Sequence, residues 1–162
     1  MNMIYMLLPG TPITYYGEEI GMQDGQVRQS FHLNAIEIIR IFSPQITPAP
    51  SDERANYRTP MQWNSNANAG FTGAASPWLP VNGDYATLNV DKQQKAESSH
   101  LKVYKALAEK RHERAVLFGE LDMMANGTVF AYNRVKKGSP GILVAANLGS
   151  EAVTADLSNL MK

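Results

Sequence analysis

Residues 8–22 read LPGTPITYYGEEIGM, and their order of chain breakers, β-formers and carboxylates gives the strongest indication of fold class in the chain. The two prolines and the glycine of residues 9–12 make a hard break. The β-branched and aromatic residues 13–16 predict a short strand, which Gly17 ends. Because apolar residues occur there without strict alternation, we expect this strand to be buried on both faces, as in a parallel sheet.

Two adjacent carboxylates, Glu18 and Glu19, follow at the end of the predicted strand, where α/β folds place their ligand loops. Neighbours in an extended strand point to opposite faces, so these two groups cannot act together as an acid/base pair. We favour a structural role for either one, in which it accepts hydrogen bonds from loop N–H groups or pairs with an arginine.

Two arginines four positions apart lie in residues 54–63, which read RANYRTPMQW. The Thr-Pro step resists helix, so a loop is predicted. Arg54 and Arg58 are candidates for binding a carboxylate or a polyhydroxylated ligand, because a guanidinium offers a planar fork of donors that stays charged. Alternatively, either arginine braces the loop by pairing with a carboxylate such as Glu18 or Asp52.

Aromatic side chains near the arginines favour a sugar ligand, because the C–H face of a sugar ring stacks on an aromatic ring. Trp63, Trp78, Tyr15 and Tyr16 are available for this, although we expect most of them to lie in the core. Residues 64–83 are predicted to form a long ordered loop, which is usually functional in a compact domain.

The hydrophobic period changes near residue 115. Before it, residues 91–114 show apolar positions at helical spacing, with Ser98 or Ser99 as a possible cap. After it, a period of two predicts four antiparallel strands, at residues 116–121, 128–134, 141–147 and 152–157. We therefore predict one unit from residue 1 to 114 and a partial antiparallel β domain from 115 to 162. Residues 23–50 fit no clear pattern.

Asn126 begins the sequence Asn-Gly-Thr, which has two interpretations. It is an acceptor sequence for N-glycosylation if the chain is secreted. Asn-Gly is also the strongest short signal for a type I′ hairpin turn. We favour the plain turn and keep Asn126 as a weak glycosylation candidate.

Composition excludes several classes of function. The 162 residues include 15 Lys+Arg, 15 Asp+Glu and no cysteine, so the formal net charge is zero. Zero net charge gives no reason to expect nucleic acid or an anionic membrane as partner. Thiolate chemistry is excluded, the three histidines share no metal-ligand spacing, and no apolar run is long enough to span a membrane. The uncapped apolar start, residues 1–8, suggests the inside of a larger protein.

The residues now support a resemblance to a known family. Residues 8–22 resemble the eighth-strand segment of α-amylase family glycoside hydrolases, most of all the α-glucosidase (maltase) branch that includes insect maltases. Residues 58–63 (RTPMQW) match a signature of that branch. Further similar motifs follow in the same order, at residues 68–71 (NAGF), 78–82 (WLPVN) and 100–104 (HLKVY).

The resemblance implies an α/β fold followed by an all-β one: the last strand and helix of a (β/α)₈ TIM barrel, then part of an antiparallel β domain. It implies a retaining hydrolase of α-glucosidic bonds whose catalytic acids lie upstream, so no residue here is catalytic and the chain alone is expected to be inactive. Arg54 and Arg58 both fit the arginines of the family's glucose pocket, with Arg54 slightly ahead. No cofactor is expected, and a calcium site in the longer protein is left open.

The chain departs from the family pattern at Ala55 and Asn64, where aspartate is usual, and in residues 23–50. By resemblance the partner is an α-glucoside oligosaccharide and the location is secreted or surface-bound. One alternative is the non-catalytic heavy chain of a heteromeric amino-acid transporter, which shares the fold. Another is an unstable product without an independent role.

Overall fold

The computed structural model describes residues 2–27 and 53–161, so the predicted irregular segment lies largely outside the described residues. The chain forms two compact units. The sheet unit consists of Met1–Tyr15 and Lys102–Lys162, and the loop unit consists of Tyr16–Leu101. Each is built from a different kind of contact.

In the described residues the helices and strands are, in chain order, α1 (Asn2–Met6), α2 (Val90–Lys95), α3 (His100–Lys110), α4 (Arg114–Phe118), β1 (Glu120–Asn126), β2 (Val129–Val135) and β3 (Ile142–Asn147). Short 3-10 turns occur at Glu18–Ile20, Glu53–Arg58, Ala67–Gly70 and Ser158–Leu160. Helices α1 and α4 are too short to be stable by propensity, so their packing must hold them.

The sheet unit contains an antiparallel meander in the order β1-β2-β3, which confirms the antiparallel architecture predicted for this part of the chain. In the register, Tyr132 of β2 stands opposite Met123 of β1 and Val144 of β3. Asn126 pairs with Val129, so the β1–β2 turn has two central residues, and the first of them is a glycine. Residues 131–134 are buried in succession, so both faces of β2 are covered there.

The core of the sheet unit joins both helices and strands. Its buried members are Met6, Leu7, Leu107, Val116, Tyr132 and Val144. The Tyr132 hydroxyl donates to the Ile4 carbonyl at 2.7 Å, which ties β2 to α1. Apolar burial and one buried phenol therefore fix the first residues of the chain on the sheet.

Two arginines satisfy carbonyl groups around this core. Arg134, which is buried, donates from Nη2 to the carbonyls of Val116 at 2.6 Å and Gly119 at 2.9 Å. Burial, and then the charge of Arg111, lowers the pKa of Arg134. Arg111 donates from Nη1 to Met6 O at 2.6 Å. The last carbonyls of a helix have no partner within it, so Arg134 supplies what α4 lacks.

The loop unit has a smaller apolar core, made of the buried side chains of Ile20, Met61 and Leu101. Carboxamides connect its segments instead. Gln93 donates from Nε2 to Ile20 O at 2.7 Å, and its Oε1 accepts from Leu101 N–H at 2.9 Å. Asn89 caps α2 by accepting from Lys92 N–H at 2.9 Å. Polar side chains thus link turns that carry few apolar residues.

Two predicted elements in the first part of the chain are wrong. Residues 13–16 are in no strand, and Ile13 is 87% exposed. A buried parallel strand needs neighbours, and the described residues supply none for it. The predicted helix over 91–114 is interrupted between α2 and α3, where the Ser99 hydroxyl bonds the Gln93 carbonyl at 2.9 Å. Serine side chains compete in this way with helix hydrogen bonds.

The strand boundaries also differ from prediction. Residues 116–118 belong to α4, because Gly119 N–H bonds Ala115 O at 2.9 Å and Arg134 binds the following carbonyls. The first strand starts only at Glu120. No strand forms at residues 152–157, where Asn147 Nδ2 bonds Glu151 O at 2.7 Å as the chain turns away from β3. Tertiary hydrogen bonds override local β propensity here.

Candidate functional site

The arginine-bearing segment begins with the 3-10 turn Glu53–Arg58 and continues as an extended run. The turn stops at Arg58 because Pro60 disfavours helical geometry in the residue before it. Asn56 fixes the turn from the side, since its carbonyl accepts from Gly25 N–H at 2.7 Å and its Oδ1 accepts from Val27 N–H at 3.1 Å.

The residues after the turn are firmly held. The side chains of residues 59–62 are buried. The Gln62 side chain, with no exposed surface, donates from Nε2 to Asp84 Oδ1 at 2.9 Å and to Leu88 O at 2.7 Å. The Tyr16 hydroxyl donates to Thr59 O at 2.9 Å. Arg58 therefore projects from a rigid support.

Arg58 itself is exposed, and across residues 2–27 and 53–161 its guanidinium makes no hydrogen bond or ion pair. A brace between Arg58 and Glu18 is accordingly not observed, and Asp52 lies outside the described residues. The side chain of Arg54 also lies outside them. The structure leaves five donors of Arg58 available to solvent or a ligand.

The two carboxylates near the loop occupy the 3-10 turn Glu18–Ile20 and not the end of a strand. Glu19 Oε2 accepts from Gly17 N–H at 2.8 Å, which confirms the structural role expected for one of them. Gly17 has φ +94°, and an added Cβ would meet Met22 Cβ at 2.9 Å. This turn needs glycine for both reasons.

The aromatic residues expected in the core are instead substantially exposed, so that expectation is wrong. Trp63 is 48% and Trp78 61% exposed, and Tyr15 and Tyr16 are 43% and 41% exposed. In the segment of residues 59–63, the first four side chains are buried and only the side chain of Trp63 is exposed. Aromatic surface is therefore available on the loop unit for a ligand.

A cavity of about 370 Å³ adjoins the segment on the side of Thr59, with Asp24, Asn82 and Asp84 in its lining. Asn82 closes part of it by donating from Nδ2 to Gln23 O at 2.6 Å. The buried Thr59 hydroxyl has no hydrogen-bond partner within residues 2–27 and 53–161. The cavity is rich in acceptors, and Arg58 is not among its described lining residues.

Sequence reasoning missed the residues that position the loop, above all Gln62 and Asn89. Asn89 did carry a signal, because an asparagine directly before a helical pattern is a typical N-cap. Gln62 carried none, since nothing in its neighbours distinguishes a buried glutamine from an exposed one. The motif around it was detectable only by resemblance.

Other predicted sites are less defined. Asn126 is exposed at the β1–β2 turn, and its glycosylation stays a prediction. Within the described part of the chain, no three His, Cys, Asp or Glu side chains come close enough together to hold a metal ion. In the same residues, no helix has the length and apolarity needed to cross a membrane.

Comparison with known proteins gives consistent results. Residues 1–119 match the family model of the α-amylase catalytic domain. The chain is 38% identical to Maltase 1 of Drosophila virilis and to the salivary alpha-glucosidase of Aedes aegypti, over 99% and 98% of its length. It is 40% identical to the human amino acid transporter heavy chain SLC3A1 over 67% of its length and 13% of that protein.

Solved structures give the same result. The isomaltulose synthase of Klebsiella sp. LX3 superimposes with a TM-score of 0.69 at 30% identity, covering 91% of this chain and 29% of that one. A trehalose-6-phosphate hydrolase of Bacillus licheniformis gives 0.70 at 29% identity, covering 91% and 28%. The chain spans 25% and 27% of the lengths of the two insect relatives.

Proposed function

The chain belongs to the α-amylase family of glycoside hydrolases, and on that premise we propose that it is the C-terminal part of a retaining α-glucosidase. The parent enzyme releases terminal α-linked glucose from maltose, sucrose or short oligosaccharides. The observation that carries the proposal is the 38% identity to an insect maltase over 99% of the chain. Residues 1–114 belong to the barrel and 115–162 to the β domain.

The proposal assigns Arg54 and Arg58 to the glucose pocket of the parent enzyme. The exposure of Arg58 supports this role, because a guanidinium with no partner among residues 2–27 and 53–161 is available to sugar hydroxyls and to a carboxylate from another part of the pocket. The buried hydrogen bonds of Gln62 support it also, since a binding side chain needs a rigid mount.

The isolated chain does not catalyse hydrolysis. Retaining glycosidases use two carboxylates on either side of the scissile bond, one as nucleophile and one as acid/base. In the proposal both lie upstream of Met1. Without them the chain loses covalent and acid/base catalysis, each worth orders of magnitude in rate. The parent is secreted or surface-bound, in line with two relatives whose names describe them as salivary.

The second candidate is the heavy chain of a heteromeric amino-acid transporter, favoured by the 40% identity to SLC3A1. That match covers 67% of the chain, whereas the maltase matches reach 98–99%. The maltase function is therefore preferred. A transmembrane helix upstream, or loss of the catalytic acids, would reverse the order of the two candidates.

Transcript sequence upstream of Met1 tests the proposal directly. We expect an open reading frame that continues upstream and encodes three catalytic acids on earlier barrel strands. The purified 162-residue chain should not hydrolyse p-nitrophenyl α-glucoside, and the product of the longer frame should. Turnover by the short chain at the rate of an intact maltase would contradict the assignment of the acids to upstream sequence.

Arg58→Ala in the longer product tests the pocket role. We expect kcat/KM to fall by about 100-fold, as when one preorganised donor is removed from an active site. Arg114→Ala is the matched control, because Arg114 is an exposed arginine in another unit and should leave kcat/KM unchanged. Equal values for the two variants would remove Arg58 from the pocket.

A further inference from the structure

We propose that a cavity beside Trp63 on the loop unit binds one hexopyranose ring of a neutral saccharide. The cavity has a volume of about 360 Å³ and is lined by the indole of Trp63 and by Asn64, Asn66, Val90, Asp91 and Gln94, among others. This is at the small end of the range of about 300–1,000 Å³ typical of ligand pockets. The proposal concerns binding and does not depend on hydrolysis.

The wall of the cavity is an indole on a rigid mount. The backbone of Trp63 is held on both sides. Its backbone N–H donates to Ala69 O at 3.0 Å, and its carbonyl accepts from the backbone N–H of Asp91 at 3.0 Å. The ring is 48% exposed, although the preceding residues Met61 and Gln62 are buried. Covering an exposed indole with an apolar surface is favourable, because it removes apolar area from water. The C–H face of a pyranose ring is such a surface, and it is flat.

The rim of the cavity offers hydrogen-bonding groups that the chain does not use. The side-chain amides of Asn66 and Gln94 and the indole N–H of Trp63 have no partner among the described residues. Three other carboxamides of the loop unit, those of Gln62, Asn89 and Gln93, do bond within the chain.

A free carboxamide is both donor and acceptor, as is a sugar hydroxyl. Two carboxamides beside an aromatic face therefore match the alternating hydroxyls and C–H groups of a pyranose. An acyclic polyol presents the same hydroxyls but no preformed flat face, so it should bind less well.

The charge of the cavity favours a neutral ligand. Asp91 contributes a carboxylate, and Lys95 Nζ lies 2.8 Å from its Oδ1 in an i,i+4 ion pair. The pair cancels most of the local charge, and among the described residues no unpaired cation lines the cavity to bind a phosphate or sulfate group. Asp91 can still accept a hydrogen bond from a hydroxyl while it is paired. Nucleotides and sugar phosphates are disfavoured for this reason.

The chain contains two tryptophans, so replacing either one leaves a single indole whose fluorescence reports on ligand binding near it. In Trp78→Phe, Trp63 is the sole indole, and titration with methyl α-glucoside should change its fluorescence saturably, with a dissociation constant in the millimolar range. In Trp63→Phe, only Trp78 reports, and it should show no saturable change because it lies outside the cavity lining. Sorbitol at equal concentration serves as the acyclic control.

Surface variants then test the rim without disturbing the core. Asn66→Ala combined with Gln94→Ala, in the Trp78→Phe background, should weaken binding at least tenfold, because both side chains are exposed and bond nothing in the described chain. Gln26→Ala is the control, since Gln26 is an exposed amide in the lining of the other loop-unit cavity.

Four results would overturn the inference: no saturable change at Trp63, an equal response to sorbitol, an equal response of Trp78, or unchanged affinity in the rim double variant. All of these readouts are binding signals. Failure of the longer product to hydrolyse p-nitrophenyl α-glucoside, or an upstream sequence without the catalytic acids, would overturn the proposed enzyme and leave this site standing.

Discussion

In the sheet unit, six buried apolar side chains form one cluster that joins helices to strands, whereas the buried cluster of the loop unit has three members. Both units bury polar side chains that bond backbone carbonyls. Gln62 and Asn89 do so in the loop unit, and Arg134 does so in the sheet unit. Because its buried apolar cluster is smaller, the loop unit depends more on hydrogen bonds, and the sheet unit depends more on apolar packing.

This difference has a consequence for stability and function. Apolar packing tolerates rearrangement if volume is kept, whereas a buried amide needs its partners at hydrogen-bond distance and loses the desolvation free energy when they move. A frame built from amides holds its surface residues in fixed positions. Arg58 and Trp63, the two exposed groups assigned to ligands, both lie on that frame.

The largest expected effect comes from the sheet unit. Tyr132→Ala removes a side chain with no exposed surface, together with its hydrogen bond to Ile4 O, and should lower the free energy of unfolding by about 4 kcal/mol. Leu143→Ala, on the neighbouring strand and 41% exposed, should cost less than about 1 kcal/mol. Urea unfolding measures both free energies of unfolding, and amide exchange in β2 gives a local check. Similar losses of unfolding free energy in the two variants would contradict an apolar core centred on Tyr132.

Gln62→Ala gives the corresponding test in the loop unit. Loss of the amide leaves Asp84 and the Leu88 carbonyl without this donor, and it opens a cavity, so we expect about 3 kcal/mol of destabilisation. Gln94→Ala, an exposed glutamine on α2, should change stability by less than about 0.5 kcal/mol. Exchange of the Val90 amide, which bonds Gln62 O, is the local readout. Equal protection in both variants would show that buried amides do not hold this unit.

Alkaline pH should weaken the sheet unit specifically. Burial raises the pKa of Tyr132 from its ordinary value of 10.0 to about 12, with Arg134 and Arg111 opposing the rise. Above pH 10 the unfolded chain releases this proton while the folded chain keeps it, so stability falls as pH rises. The effect reaches about 2–3 kcal/mol by pH 12.

Tyr132→Phe is the control for the alkaline effect, because phenylalanine keeps the ring and cannot ionise. The unfolding free energy of the unsubstituted chain should fall as pH rises from 10 to 12, whereas that of Tyr132→Phe should not show this fall. The stability advantage of the unsubstituted chain over the variant should therefore shrink. Absorbance of tyrosinate should also show an ionisation near pH 12 that is absent in Tyr132→Phe. A constant difference across this range would contradict the buried phenol.

The sequence predicted the sheet unit better than the loop unit, and the reason is physical. A period of two in residues 128–134 and 141–147 predicted strands, and β2 and β3 lie close to the predicted bounds, although residues 131–134 of β2 are buried in succession. The position of β1 was wrong because a distant arginine, Arg134, stabilises α4 through its carbonyls. Such a contact has no signature in the residues it binds.

The candidate site was predictable only in part. The positions of Arg58 and Trp63 came from residue chemistry and resemblance, and the exposure of Arg58 fits a ligand role. The outward direction of Trp63 was missed, because composition suggests that tryptophan is buried, while the rigid backbone bonds to Ala69 and Asp91 decide otherwise. Hydrophobic periodicity indicates which side chains of a helix or strand are buried. On an irregular loop the direction of a side chain depends on individual contacts, which the periodicity does not reveal.

The smallest expected effect concerns the β1–β2 turn, where prediction and structure differ by one residue. A type I′ turn with Asn126 and Gly127 at its centre needs positive φ at both, whereas the structure pairs Asn126 with Val129 and gives positive φ, +58°, to Gly127 alone. That arrangement matches type II′, with glycine first.

An added Cβ at Gly127 meets nothing within 4 Å, so Gly127→Ala should cost about 1 kcal/mol from backbone strain alone. Asn126→Ala should be nearly neutral, since Asn126 ends a strand. If Asn126→Ala is the more damaging variant in urea unfolding, the turn is type I′ and the register of β1 shifts by one residue.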